Sequence, residues 1–178
     1  MDVLQPLMDA GTVKVVSGQT AQADIGTLRW DGAVAQARMD ALLAANYSSG
    51  EQLDGVLSPY DGLSRGIISA LVSFGCQPGT DNWPVVTGQD AEAASIKLII
   101  SGEQYSTILK DTRDLAKVAA DMVDAVLTGT EPEINDTTTY DNNVKVVPSY
   151  LLIPYTVTVD NYQKLVMDSG YLTPDDIK

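Results

Sequence analysis

The sequence of 178 residues contains no histidine and a single cysteine. Without histidine, the chain cannot build a Ser-His-Asp or Cys-His catalytic centre, and it lacks the commonest transition-metal ligand. Cys76 has no partner for a disulfide within the chain, and its setting FGCQPG has no metal-binding or catalytic spacing. No acidic loop shows the spacing of a calcium site. We therefore predict a protein that is not an enzyme and that holds no metal and no cofactor.

Positive charge is also scarce, because 11 Lys and Arg residues face 24 Asp and Glu residues, for a net charge of −13. Nucleic acids attract proteins through clusters of Lys and Arg, so no nucleic-acid partner is expected. No apolar run approaches the ~18 residues that a membrane-spanning helix needs. The length and the hydrophobic content of 44% favour one globular domain with a substantial core.

What the sequence does contain is a regular alternation of hydrophobic patterns. Apolar residues recur every three or four positions in some segments and form short β-branched runs in others, which predicts helices alternating with strands. The predicted helices cover residues 1–8, 31–46, 61–74, 93–100, 111–128 and 161–167. The predicted strands cover 12–17, 54–58, 84–88 and 104–109, with one or two more within 144–158.

This alternation predicts an α/β fold, namely a three-layer αβα, doubly wound domain with a mostly parallel sheet and right-handed crossovers. Such a domain normally begins with a strand, whereas the first pattern here is the helix at residues 1–8. We therefore expect a lobe that lacks its first strand and begins inside a larger fold.

Polar and aromatic side chains follow the predicted strands, and the carboxyl ends of parallel strands meet at one edge of a sheet. Carboxylates accept hydrogen bonds from adjacent hydroxyl groups, an amide and an ammonium donate them, and an indole can cover the apolar face of a pyranose. The pattern predicts a site for a neutral polyol. Its candidate residues are Trp30, Tyr60, Asp61, Gln89, Asp90 and Lys110.

Five of these six residues also have a purely structural explanation. Asp61 and Asp90 precede predicted helices, where aspartate is a preferred N-cap. Trp30 could be a hydrophobic staple before its helix. Lys110 could simply be solvated, and the ring of Tyr60 could pack under its loop. The sequence alone leaves these alternatives open.

Four segments carry a resemblance to a known family: GTLRWDGAVAQARMDALLA, DGVLSPYDGLSRGIISAL, PVVTGQDAEAASIKLIISGEQYSTILKDTRDLA and VPSYLLIPYTVTVDNYQKLV. Together they resemble the carboxy-terminal half of periplasmic sugar-binding proteins, the xylose-binding and multiple-sugar-binding receptors of ABC transporters. The resemblance covers nearly the whole chain, and GQDAE and VPSYLL are specific to that subgroup.

The resemblance implies a periplasmic binding protein-like fold, in which two lobes on hinge strands close on a monosaccharide. It implies a stacking tryptophan at Trp30, a ligand carboxylate at Asp90 and a lysine near the hinge at Lys110. Where the family has an Asn-Asp pair, this chain has Tyr60 and Asp61, so the polar contact at position 60 is changed.

The resemblance also implies that residues 1–178 form a single C-terminal lobe, and that the helix at 111–129 belongs to the missing N-lobe. The apolar stripe of that helix would then need cover from a second copy of the chain or from a rearrangement. The full-length parent would meet a transporter permease in the periplasm or, membrane-anchored as a lipoprotein, outside the cell. This chain shows no export signal.

The expected function is binding of a monosaccharide, an aldopentose or aldohexose, for ABC-type sugar import, with half of the ligand cleft present. One alternative is the sugar-sensing effector domain of a transcription regulator, because repressor effector domains share the two-lobed fold. A less favoured alternative is a small α/β enzyme that uses Asp61 or Asp90 as a base or nucleophile.

Overall fold

The computed structural model of the protein describes residues 3–178, so the first two residues of the predicted helix 1–8 lie outside the described residues. Helices and short strands alternate along most of the chain. The helices are α1 (Gln5–Asp9), α2 (Gln22–Ile25), α3 (Gly32–Asn46), α4 (Asp61–Phe74), α5 (Ala93–Ser101) and α6 (Thr112–Thr128), with a 3₁₀ turn at Leu28–Trp30 and a π-helix at Gln163–Met167. The strands are β1 (Gly55–Val56), β2 (Val85–Val86), β3 (Thr107–Leu109) and β4 (Tyr155–Val157).

The strands lie side by side in chain order. β1 pairs with β2 in parallel, and β3 pairs with β4 in antiparallel register. The Tyr105 amide donates to the Val86 carbonyl at 2.9 Å, and the Asp90 amide donates to the Ile108 carbonyl at 2.9 Å, so β2 and β3 are also neighbours. The α/β class is confirmed, although the strands are shorter than predicted and β4 runs against its neighbour.

The strand predicted at 12–17 is the element that the structure contradicts. Residues of this segment form turns and bends, and the amides of Thr12 and Val13 both donate to the carbonyl of Leu7. A β-branched run needs a neighbouring strand to hydrogen-bond with, and its composition alone does not provide one. The segment instead continues the turn that ends α1.

Local sequence signals set the helix ends as predicted. The carboxylate of Asp31 accepts from the amides of Ala33 at 2.8 Å and Val34 at 3.3 Å, which satisfies two amides at the start of α3. Gly102 and Gly129 end α5 and α6 with φ of +83° and +76°, a conformation that favours glycine.

Two hydrophobic clusters hold the helices to the strands. The first joins α3 and α4 to β2, and the second joins α5 and the π-helix to β3 and β4. The buried members of the first are Met39, Leu43, Ile68, Ala70, Leu71 and Val86, and those of the second are Ala91, Ile96, Ile99, Leu109, Val157 and Val166. Most of the burial therefore lies beside the strands whose ends carry the predicted site.

Helices α3 and α4 touch backbone to backbone at their first turns. A Cβ atom on Gly66 would lie 2.1 Å from the carbonyl oxygen of Gly32, and one on Gly32 would lie 2.7 Å from that of Gly62. Only residues without a side chain allow this approach. It brings the loop before α3 next to the loop before α4.

Helix α6 is the longest helix, and it differs from α3, α4 and α5 because none of its residues is buried. Four of its large apolar side chains, Leu115, Val123, Val126 and Leu127, are exposed, with Leu127 exposed by 80%, while Val118 and Met122 are half-buried. Within residues 3–178, no helix combines the length and the apolar character that crossing a membrane requires.

Candidate functional site

An open cleft of about 490 Å³ lies at the carboxyl ends of β1 and β2. It is formed by the loops that lead into α3, α4 and α5. Its lining residues are Arg29, Trp30, Pro59, Tyr60, Gln89, Asp90 and Glu92. The structure thus brings four of the six predicted site residues to one cleft.

Trp30 stands at the mouth of the cleft with 59% of its surface exposed. It ends the 3₁₀ turn, in which both Arg29 and Trp30 have a φ of +56°. Non-glycine residues rarely adopt this conformation, and such backbone strain concentrates at functional sites. An indole exposed to this extent is available to a ligand.

Tyr60 and Trp30 form an edge-to-face pair, with ring centroids 6.2 Å apart and an angle of 82° between the planes. Its hydroxyl donates to Oε1 of Glu92 at 2.7 Å. This hydrogen bond is the main reason why the pKa of Tyr60 is raised above its ordinary value. The ring therefore forms a wall of the cleft and does not pack under its loop.

Asp90 lies in the turn after β2, with its side chain 41% exposed and in an ion pair with Lys110, whose Nζ is 2.8 Å from Oδ1. Helix α5 begins at Ala93 with Glu92 at its N-cap position, so Asp90 does not cap it. Asp90 and Ala91 have φ of +102° and +52°. The strained turn aims a partly exposed carboxylate at the cleft and places Lys110 beside it.

Asp61 departs from the expected ligand-facing position, because it is completely buried beneath the cleft. Its Oδ1 accepts from Nε2 of Gln104 at 2.9 Å and from Oγ1 of Thr107 at 2.8 Å, and its Oδ2 accepts from the Glu92 amide at 2.9 Å. Burial raises the pKa of Asp61 despite these hydrogen bonds. In this structure, its carboxylate joins the start of α4 to β3 and to the turn that carries Asp90.

Gly88 is required for this buried arrangement. A Cβ atom there would lie 2.2 Å from Oδ1 of Asp61 and 2.4 Å from Nε2 of Gln104. The absence of a side chain at the end of β2 therefore leaves the room in which the carboxylate and the amide meet. This glycine belongs to the segment GQDAE that follows β2.

Three lining residues were not among the sequence candidates, namely Arg29, Pro59 and Glu92. Glu92 lies two residues after Asp90, at the N-cap position of α5. Glu92 would have been a candidate if every residue between the end of a strand and the start of the next helix had been considered. Its role still depends on contacts with residues about thirty positions earlier, which no local pattern reveals.

The chemistry of the cleft suits a neutral, hydroxyl-rich ligand. Trp30 and Tyr60 offer apolar ring surface, Asp90 offers an acceptor, and Gln89 and Lys110 offer donors. Within residues 3–178, no group of three or more His, Cys, Asp or Glu side chains is arranged to hold a metal ion. A second cavity, of about 210 Å³, lies at the amino ends of β2 and β3 and has a largely apolar lining.

Comparisons with known proteins show the family to which the chain belongs. A family profile described as the periplasmic binding protein domain matches residues 1–131. The multiple sugar-binding periplasmic receptor ChvE of Rhizobium radiobacter is 56% identical over 100% of this chain, which covers 50% of that receptor. The D-xylose-binding periplasmic protein of Haemophilus influenzae is 33% identical over 99% of this chain, which covers 49% of that protein.

Solved structures give the same result. An ABC transporter solute binding protein from Clostridium phytofermentans, with bound β-D-glucose, aligns with a TM-score of 0.91 and 43% identity, over 100% of this chain and 54% of that one. A carbohydrate transporter solute binding protein from Chloroflexus aurantiacus, in complex with D-glucose, aligns with a TM-score of 0.80 and 31% identity, over 98% of this chain and 54% of that one. The chain spans about half the length of the relatives it matches.

Proposed function

Because this chain belongs to the periplasmic binding protein domain family, we propose that it binds a monosaccharide as one lobe of a receptor for ABC-type sugar import. The observation that carries the proposal is the meeting of an exposed indole, Trp30, with Gln89 and Asp90 at one cleft, with Lys110 paired to Asp90. The aldohexoses and aldopentoses in the names of its relatives are the class of ligand that this set of groups suits.

The mechanism follows from the position of the cleft on the surface. A sugar stacked on Trp30 and hydrogen-bonded to Asp90 keeps its other face in water unless a second lobe closes over it. Closure is favoured when the ligand contacts both lobes, since only then does it bind the closed state more tightly. Residues 3–178 supply one side of such a cleft, so we expect this chain alone to bind sugars only in about the millimolar range.

A nuclear magnetic resonance titration tests the proposal. Xylose, glucose, galactose and arabinose are added separately, and the side-chain resonances of Trp30, Gln89 and Lys110 are followed. We expect saturable shifts with the pyranoses and none with mannitol, an acyclic polyol that offers no ring face. Unchanged Trp30 resonances up to the solubility limit of every sugar would refute the proposed site. Micromolar affinity would refute the half-cleft argument.

We further propose that α6 packs against the other lobe in the full-length receptor. The support is that no residue of α6 is buried while several large apolar side chains are exposed. At about 25 cal/mol per Å² of apolar surface, covering such a stripe is worth a few kcal/mol. The full-length receptor, with its permease partner, would work in the periplasm or anchored outside the cell.

In the isolated chain, a second copy would be the available cover for α6. Size-exclusion chromatography with light scattering measures this directly. We expect a dimer that the double substitution Val126→Lys and Leu127→Lys in α6 converts to a monomer, while Lys substitutions at the exposed positions Ala44 and Ala45 of α3 leave it unchanged. A monodisperse wild-type monomer with an intact α6 would contradict the homodimer.

The same proposal assigns no catalytic role to the acidic residues of the cleft. Asp61 is buried and engaged with three donors, and Oδ1 of Asp90 is paired with Lys110. The relatives are named as receptors and solute-binding proteins, which supports binding without turnover. We expect each sugar to be recovered chemically unchanged after prolonged incubation with the protein, as judged by its own resonances.

A further inference from the structure

We propose that Glu92 is a positioning residue that holds the Tyr60 ring against Trp30 and is itself held by an ion pair with Arg65. In this way, Glu92 sets the shape of the aromatic wall of the cleft. The consequence for affinity rests on the proposed sugar-binding function. The geometric part of the inference, which concerns how the ring is held, stands without any ligand.

Each oxygen of the Glu92 carboxylate has a partner within the protein, although the residue borders the cleft. Oε1 accepts from the Tyr60 hydroxyl at 2.7 Å, and Oε2 is paired with Nη1 of Arg65 at 2.5 Å. Arg65 also donates to Oγ of Ser95 at 3.3 Å. About one third of each of the Arg65 and Glu92 side chains is exposed. The Tyr60 hydroxyl and the Arg65 guanidinium thus hold the carboxylate in place from both oxygens, and through Oε1 the carboxylate fixes the position of the Tyr60 ring.

The floor under the ring is Gly62, in the first turn of α4. A Cβ atom on Gly62 would lie 2.4 Å from Cε1, 2.7 Å from Cζ and 2.9 Å from the hydroxyl oxygen of Tyr60. The ring therefore lies directly on the glycine backbone, and any side chain there would push it away. Gly62 lies below the ring, Glu92 accepts from its hydroxyl group, and Trp30 packs against it at about a right angle.

Holding the ring has a consequence for the neighbouring indole. Trp30 is largely exposed and lies in a strained turn, and Tyr60 is the ring that contacts it. Edge-to-face pairs prefer a defined mutual orientation, so a held Tyr60 orients the surface on which a sugar would stack.

The contacts can be broken from two independent sides. Glu92→Ala removes the hydrogen-bond acceptor and frees Arg65, and it costs no helix cap because the Glu92 side chain makes no capping hydrogen bond. Gly62→Ala removes no polar group and favours the helix by propensity, but its Cβ displaces the ring. The matched control is Glu51→Gln, which breaks an exposed ion pair with Lys14 remote in sequence from the cleft loops.

The primary readout is the set of nuclear Overhauser contacts between the ring protons of Trp30 and Tyr60. We expect these contacts in the wild type and in Glu51→Gln, and their loss in Glu92→Ala and in Gly62→Ala. In the same samples, the apparent Kd for glucose should rise about threefold to tenfold in both cleft variants, the effect of losing one oriented aromatic contact. Circular dichroism confirms that each variant is folded.

Three outcomes decide whether Glu92 positions the Tyr60 ring and whether that position affects sugar binding. Persistent Trp30–Tyr60 contacts in Glu92→Ala overturn the positioning role. Loss of the contacts with an unchanged glucose Kd overturns the link from ring position to binding. If the wild type binds no sugar at all, the proposed function fails, but the comparison of ring contacts still supports or overturns the positioning role of Glu92.

Discussion

The substitution Asp61→Asn tests whether a buried carboxylate holds the cleft together. Asparagine has the size of aspartate, so no cavity forms, but it has only one acceptor oxygen. If that oxygen keeps the hydrogen bonds from Gln104 and Thr107, its NH₂ group faces the Glu92 amide, and two donors oppose each other. A buried donor without an acceptor costs about 1–3 kcal/mol. We expect the free energy of unfolding at pH 7 to fall by about that amount.

The assay is urea unfolding followed by far-ultraviolet circular dichroism. Asp40→Asn is the matched control, because Asp40 lies on the exposed side of α3 and its substitution should change stability by less than about 0.5 kcal/mol. Equal stability of Asp61→Asn and wild type at pH 7 would refute the structural role assigned to the carboxylate.

The pH dependence gives a second, signed test of the same residue. Burial raises the pKa of Asp61 in the folded protein above its ordinary value. A raised pKa means that the folded state holds this proton more tightly than the unfolded state, so the contribution of Asp61 to stability is fully present in acid and declines as pH rises through the raised pKa. This proton-linked part adds to the loss of hydrogen bonds expected at pH 7, so the stability difference between wild type and Asp61→Asn should be larger near pH 4 than near pH 7. A difference that grows toward neutral pH would contradict the direction of the shift.

Further substitutions separate binding from stability. Trp30→Ala should abolish saturable glucose shifts while leaving the urea midpoint nearly unchanged, because the indole is mostly exposed. Lys110→Met should weaken glucose binding. It should lower the free energy of unfolding by no more than about 1 kcal/mol, because the ion pair that it removes, with Asp90, is partly exposed to water. Gly66→Ala should destabilise the fold by about 1–3 kcal/mol, because its Cβ would lie 2.1 Å from a backbone carbonyl of α3. Gly26→Ala is the control for Gly66→Ala. A Cβ atom at Gly26 would lie 3.5 Å from the nearest carbonyl oxygen, an ordinary van der Waals contact, so this substitution should have little effect on stability.

Each of these expectations can fail separately. Glucose shifts that persist in Trp30→Ala would place the sugar elsewhere, and an unchanged glucose affinity in Lys110→Met would remove that residue from the site. A wild-type urea midpoint in Gly66→Ala would show that α3 and α4 can separate without cost.

The helices were predicted well because their signals are local. Asp31 caps α3, and the glycines at 102 and 129 end α5 and α6, each through contacts within one turn of the helix. The strands were predicted less well, since a strand exists only beside another strand. The β-branched segment at 12–17 forms turns, while the similar run around Val85 pairs with β1.

The candidate site shows the same division between local and distant information. Placing polar residues after strands correctly brought Tyr60, Gln89 and Asp90 to one cleft, and Trp30 joins them although the strand predicted before it does not form. The same rule could not tell that the carboxylate of Asp61 turns inward, because its partners come from residues 31 to 46 positions further along the chain. Whether the six predicted residues bind a ligand stays a prediction.

The sequence by itself determined the order of helices and strands from α3 onward, most of the helix ends and the edge of the sheet at which the polar loops gather, because periodicity and capping act between near neighbours in the chain. Only the tertiary structure decided which carboxylate faces the cleft and which is buried beneath it. It also decided that Glu92 and Gly62 hold the Tyr60 ring against Trp30. These outcomes depend on burial and on hydrogen bonds between distant segments, and those exist only after the chain has folded.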